Sequence, residues 1–122
     1  MSIKVRTLIR TMAIDALTHV TTRGIDSHAA TQRLFDFQKN LKSSEKAFIS
    51  EIVVGSLRWL SKMDWIMSHV MNRPLSSLDP RVASALRVGA YQLYYMEKVS
   101  DRTAVAETVE AVKNVGIPNA AS

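Results

Sequence analysis

The 122-residue sequence has no cysteine, only three prolines and only four glycines. Without a thiol there can be no cysteine nucleophile, no cysteine-ligated zinc, no iron–sulfur cluster and no disulfide, so the fold must rest on its core alone. The missing cysteine fits a cytoplasmic protein, where absence of disulfides is the default. No run of eighteen apolar residues occurs, which leaves nothing to span a bilayer, and the polar, basic start is not followed by the apolar stretch of a signal peptide. Alternating apolar and polar positions, the mark of a half-buried strand, are absent, as are internal repeats and low-complexity linkers. Catalytic signatures are equally scarce. There is no glycine-rich phosphate loop and no Gly-x-Ser-x-Gly elbow. His19, His28 and His69 lie far apart with no Glu or His at ligand spacing, so surface or capping roles suit them better than catalysis or metal binding. Neither a catalytic residue, a metal site nor a cofactor site is expected in this chain.

Acids are also scarce where the chain begins. Residues 1–62 hold ten Lys or Arg against five Asp or Glu, whereas 63–122 hold six against six, so the net charge of +5 comes entirely from the first half. Lys4, Arg6 and Arg10 all precede the first acid, Asp15. Such an excess suits an anionic partner, nucleic acid being the commonest for a small domain, and a solvated, mildly basic surface is the plain alternative.

What is abundant is helical periodicity. At this length one domain with a real core is expected, without room for a nucleotide-binding domain as well. Val5, Leu8, Ile9, Met12, Ala13, Leu17 and Val20 predict a first helix from about Ile3 to Thr22, stopped by Gly24, with Arg6 and Arg10 one turn apart on its outer face. Asp26 or Ser27 caps a second, whose Ala30, Leu34 and Phe37 align through to about Asn40. A third opens at Ser43 or Ser44 and carries Phe48, Ile49, Ile52, Val53, Ser56, Leu57 and Leu60, a stripe broad enough to be buried on more than one side. A short fourth begins at Met63 and reaches toward Pro74, and a loop spans Leu75 to Asp79. The fifth runs from Pro80, capped by Asp79, to about Met96, and the sixth from Asp101 or Arg102 to about Asn114, closed by Gly116 and Pro118. The fold class is therefore all-α, a bundle of six helices organised around the pair in Pro80 to Lys113.

Several residues fit this scheme less simply. Gly55 and Gly89 each sit mid-helix, where glycine costs about 1 kcal/mol relative to alanine, and close helix approach is the usual compensation. The third and fifth helices are expected to cross near these glycines. Arg87, in the middle of the most apolar helix, must snorkel outward or pair with a carboxylate such as Glu107 or Glu110. Glu107 and Glu110 share a helix face that is more simply solvated than reserved for a partner. Trp59, Trp65, Tyr91, Tyr94 and Tyr95 could form a base-stacking platform, but at helical spacing beside aliphatic stripes they read first as packing residues. The six methionines likewise read as core filler.

Four stretches, in this order, carry a resemblance: Arg10-Thr11-Met12-Ala13-Ile14-Asp15-Ala16-Leu17, Val54-Gly55-Ser56-Leu57-Arg58, Leu86-Arg87-Val88-Gly89-Ala90-Tyr91-Gln92-Leu93, and Ala104 to Lys113. Together they span most of the chain, and the sequence resembles the NusB-like all-helical RNA-binding domains. Gly55-Ser56-Leu57-Arg58 leading to Met63-Asp64-Trp65-Ile66, Asn72-Arg73-Pro74-Leu75 and Ala106-Glu107-Thr108-Val109-Glu110 are more similar to the N-terminal domain of the RsmB (Sun or Fmu) ribosomal RNA cytosine-C5 methyltransferases than to free-standing NusB, which typically has Asn-Glu-Ala at Ala106-Glu107-Thr108. In those enzymes the helical domain is joined to a larger catalytic domain that binds S-adenosylmethionine and uses a cysteine, which this chain lacks. Residues 1–122 are thus expected to form one NusB-like domain without the methyltransferase domain. Two departures stand out: Ser100 replaces a usual proline, which should loosen one turn, and the chain ends at Asn119-Ala120-Ala121-Ser122 where the family continues into a final helix. The domain therefore reads as truncated, with an apolar groove that a second copy could fill as a homodimer.

The resemblance implies a non-catalytic accessory domain that binds RNA, in particular ribosomal RNA, through its basic first helix, and this carries over onto Arg6 and Arg10 with Lys4 beside them. Two other readings stand next to it: a protein-interaction module that docks on the parent catalytic domain or on a ribosomal protein, and a stand-alone transcription antitermination factor. No membrane partner is implied.

Overall fold

Three polar links fix α1 (Ile3–Arg23) against α5 (Pro80–Met96), and the rest of the chain is arranged about these two helices. Arg10 Nε donates to Gln92 Oε1 at 3.1 Å, Thr18 Oγ1 donates to Ser84 Oγ at 2.8 Å, and Arg81 pairs with Asp15 at 3.0 Å. Position 10 on one helix meets 92 on the other while 18 meets 84, so the two run antiparallel. The computed structural model describes the backbone of residues 3–114 and the side chains of residues 8–106, 108 and 109.

The remaining helices are α2 (Ser27–Phe37), α3 (Ser43–Arg58), α4 (Leu60–Met71) and α6 (Asp101–Asn114), with a single 3-10 turn at Leu75–Ser77. No strand occurs among the described residues. Each start has a local cause. The Asp26 carboxylate accepts from the His28 and Ala29 amides, and Asp79 accepts from the Arg81 amide with Pro80 at the first helical position. Lys42 N–H donates to the Glu45 carboxylate at the head of α3. Ser100 does more than a loosened turn would: its Oγ accepts from the Thr103 amide at 3.2 Å and caps α6, so the serine substitutes a side-chain cap for the usual proline. The ends are as specific, with Gly24 at φ +66° after α1 and Asn72 in the left-handed region after α4.

Two apolar clusters form the core. Ile9, Met12, Ala13, Ala16 and Leu17 of α1 join Ala30, Ile49, Ile52, Val53 and, from α5, Val88. The other joins Met63, Ile66, Met67 and Met71 of α4, Leu75 and Leu78, Ala83, Leu86 and Ala90 of α5, and Val105 and Val109 of α6. Helix α5 supplies side chains to both, and packs on α1, α3, α4 and α6. Burying α3 against α1, α2 and α5 accounts for the breadth of its apolar stripe.

The structure corrects four local expectations. The third helix ends at Arg58 and the fourth begins at Leu60, because Trp59 serves as the cap of both, with its amide donating to the Gly55 carbonyl at 3.2 Å. Leu75–Ser77 is a 3-10 turn that buries Leu75, with Leu78 buried just after it, rather than a plain loop. Phe37, expected on the buried stripe of the second helix, is 90% exposed, because α2 ends at that residue and the chain turns away. Gly55 and Gly89 both lie against neighbouring helices at close range, but not against each other. A Cβ on Gly55 would overlap the phenol ring of Tyr91 on α5, while one on Gly89 would come within 2.9 Å of Thr108 Cγ2 on α6. The Gly116 and Pro118 end signals lie outside the described residues.

Candidate nucleic-acid interface

Arg10 is the sequence-selected site residue whose side chain the structure describes. It stands exposed on α1 while its neighbours Ile9 and Met12 are buried, which is what the helical period requires of a residue on the outer face. Gln92 orients it: the amide oxygen accepts from Nε, which leaves the guanidinium fork at the surface. The side chains of Lys4 and Arg6 lie outside the described ones; the backbone at both is helical, so Arg6 is one turn from Arg10 on the same helix.

Gln92 also lines a small hollow of about 40 Å3 between α3 and α5, together with Phe48, Ile52, Met96, Tyr91 and Tyr95. Tyr91 is 5% exposed and fits the space that Gly55 leaves, and Tyr95 stacks on it with centroids 5.5 Å apart and planes 11° from parallel. Hydrogen bonding toward the Glu51 carboxylate and its negative charge push the Tyr95 phenol above its ordinary range. Burial pushes Tyr91 in the same direction. Gln92 is not singled out by the sequence, and Tyr91 and Tyr95 read there first as packing residues, with base stacking as the alternative. The signal for them is the α1–α5 register, which no spacing within one helix reveals.

Elsewhere the charged side chains are structural. Arg87 pairs with Asp64: Nε and a terminal nitrogen each donate to a different carboxylate oxygen at 2.8 Å, a fork-to-fork pair that ties α5 to α4, while the side chains of Glu107 and Glu110, the partners expected for it, lie outside the described ones. Lys62 and Asp101 meet at 2.9 Å and tie α4 to α6; each shifts the other toward its charged form, so the lysine lies above and the aspartate below its ordinary value. His69 Nδ1–H donates to the Trp65 carbonyl at 2.8 Å and the ring leans on that of Trp65, the surface role expected of it. Among the described residues no three His, Asp or Glu cluster as metal ligands would, and no helix is long and apolar enough to cross a membrane. Trp59 and Tyr94 pack edge to face beside the α4–α6 cluster, as packing residues do.

The chain is 32% identical over 110 residues to ribosomal RNA small subunit methyltransferase B of Escherichia coli O1:K1, and equally so to that of Escherichia fergusonii. These alignments take in 90% of this chain but 25% of the relatives, so the chain spans about a quarter of their length. Its fold is similar to a chain in the crystal structure of antitermination factors NusB and NusE in complex with double-stranded RNA, with a TM-score of 0.72 at 17% identity, covering 98% of this chain and 89% of that one. The fold likeness agrees with the all-α bundle built above. The NusB family model matches residues 7–122, nearly the whole of the sequence, and the chain belongs to the NusB family.

Proposed function

We propose that this chain is a non-catalytic RNA-binding domain that helps a ribosomal RNA cytosine-C5 methyltransferase engage its substrate, with Lys4, Arg6 and Arg10 as the phosphate-contacting residues. The observation that carries the reading is Arg10, held at the surface of α1 by Gln92 within a stretch that has no acid before Asp15. An arginine there offers forked donors with a permanent charge, suited to phosphates along a strand. The similarity to methyltransferase B and the RNA in the NusB–NusE structure support both the partner and the parent. In this reading methyl transfer and S-adenosylmethionine belong to a catalytic domain outside this chain, which itself has no cysteine to attack cytosine.

Contacts of this kind give affinity and salt dependence rather than sequence choice. Titrating the chain against a labelled ribosomal RNA fragment at several salt concentrations tests the reading: log affinity should fall linearly with log salt. Binding that is absent, or indifferent to salt, contradicts it.

A second reading, docking on the catalytic domain or a ribosomal protein, is favoured by one surface. Trp65 on α4 is 57% exposed and Val70, farther along the same helix, is also exposed, both large apolar side chains at the surface. Pull-down with the separately expressed catalytic domain distinguishes the two, since a docking module should be retained by it and be indifferent to RNA. A methyltransferase reading frame continuing past Ser122 would set aside the stand-alone antitermination factor.

A further inference from the structure

We propose that the hollow between α3 and α5 is a nucleobase subsite, in which one base of a single-stranded RNA stacks on the accessible side of Tyr95 while its phosphate reaches Arg10. This rests on the RNA-binding reading and deepens it, from a charged stripe to a stripe with an adjoining base pocket.

Tyr95 is built as a platform. One face of its ring is taken up by Tyr91, nearly parallel beneath it, and Tyr91 is seated in the notch that Gly55 leaves in α3. The residue is 50% exposed, which leaves part of the ring accessible on the side away from Tyr91. A ring held in this way loses little freedom when a base adds a third layer, and stacking tolerates any base because each has a π-face.

The surroundings favour a base over a protein side chain or a small ligand. At about 40 Å3 the hollow is too small to enclose a drug-sized ligand, and a base covers it from above while stacked on Tyr95. Phe48, Ile52 and Met96 supply apolar edges. Gln92 lines the hollow and at the same time holds Arg10, so the apolar floor and the cation are linked through one side chain. Glu51, at the hollow's margin, repels phosphate and accepts from an exocyclic amino group, which sets the base inward and the backbone toward Arg10. An apolar peptide would gain nothing from this pairing of a planar stack with a rim cation.

The test compares a short single-stranded oligocytidine with an abasic oligomer of the same length, which keeps the phosphates and lacks the bases. Tyr95→Ala should weaken oligocytidine binding by about 5- to 100-fold, leave abasic binding unchanged and leave the salt slope of both intact. Tyr95→Phe should bind like the wild type. Oligocytidine binding that Tyr95→Ala leaves unaltered overturns the subsite alone. Failure of the wild-type chain to bind either oligomer overturns the RNA-binding reading and the subsite with it. Should Tyr95→Ala prove unfolded by circular dichroism, photo-cross-linking of a 5-iodocytidine oligomer to the wild type replaces it: a cross-link at Tyr95 supports the subsite, and cross-links confined to other helices overturn it.

Discussion

Gly55 and Gly89 look alike in the sequence and differ in what they hold. At Gly55 an alanine Cβ would overlap three atoms of the Tyr91 ring, which is buried and stacked on Tyr95, so the ring must turn and the stack must break. Overpacking of this kind costs about 1–3 kcal/mol against a propensity gain of about 1 kcal/mol. Gly55→Ala should therefore lower the melting temperature, and the penalty should vanish when Tyr91 is first cut to alanine. At Gly89 the added methyl comes within 2.9 Å of Thr108 Cγ2, the end of a short, buried side chain whose Oγ1 donates to the Ala104 carbonyl, so Gly89→Ala should also lose stability, but less than Gly55→Ala. Equal losses at the two positions in thermal melts would contradict this difference. That each glycine faces a neighbouring helix was legible from its position mid-stripe, and Gly55 meets the fifth helix as expected; that Gly89 faces α6 rather than α3 was not legible, because periodicity gives a face and not a partner. Phe37 failed for a related reason. Its spacing from Ala30 and Leu34 is helical, but the helix stops there, and a terminal residue has no neighbouring turn to cover it.

Between elements, ion pairs tie α4 to α5 and α4 to α6, besides the Arg81–Asp15 pair that ties α5 to α1. Arg87 and Asp64 are mostly buried and bonded fork to fork across α4 and α5. Replacing one partner leaves the other buried without its charge, so Asp64→Asn should cost about 2 kcal/mol. Asp64→Leu together with Arg87→Met should recover much of that loss in denaturant unfolding. A double variant no better than the sum of the singles would argue against a coupled pair. The Lys62–Asp101 pair is more exposed and should be seen through pH rather than through a large stability change. Asp101 lies below its ordinary value of 3.8 in the folded chain, so its contribution is present above that value and lost as pH falls through the folded one. Lys62 lies above its ordinary 10.5, so its contribution is present below that value and lost as pH rises past the folded one. The melting difference between wild type and Asp101→Asn should hence be flat from about pH 5 to 9 and shrink in acid; a difference that grows in acid would reverse the assigned sign. Helix number, order and most boundaries were legible because caps and periodicity are local. Arg87's partner was not, since Asp64 is 23 residues away and only the packing of α4 on α5 brings it near.

At the scale of the whole molecule, α5 serves both apolar clusters, and α1 lies antiparallel on it with Arg10 exposed. The charge excess of the first half was legible as composition, and family membership adds the fold that displays it. The hollow beside Arg10 was not legible, because Phe48 and Ile52 on α3 and Tyr95 and Met96 on α5 come together only in the folded chain. The central claim is that α1 binds RNA through Arg6 and Arg10, and the salt dependence of binding measures it most directly. If each arginine neutralises about one phosphate, the Arg6→Ala, Arg10→Ala double variant should bind single-stranded ribosomal RNA with a log affinity–log salt slope shallower by roughly 1.4, with helicity unchanged because alanine is at least as good a helix former. A double variant with wild-type affinity and wild-type slope would contradict it and leave these arginines as a solvated face.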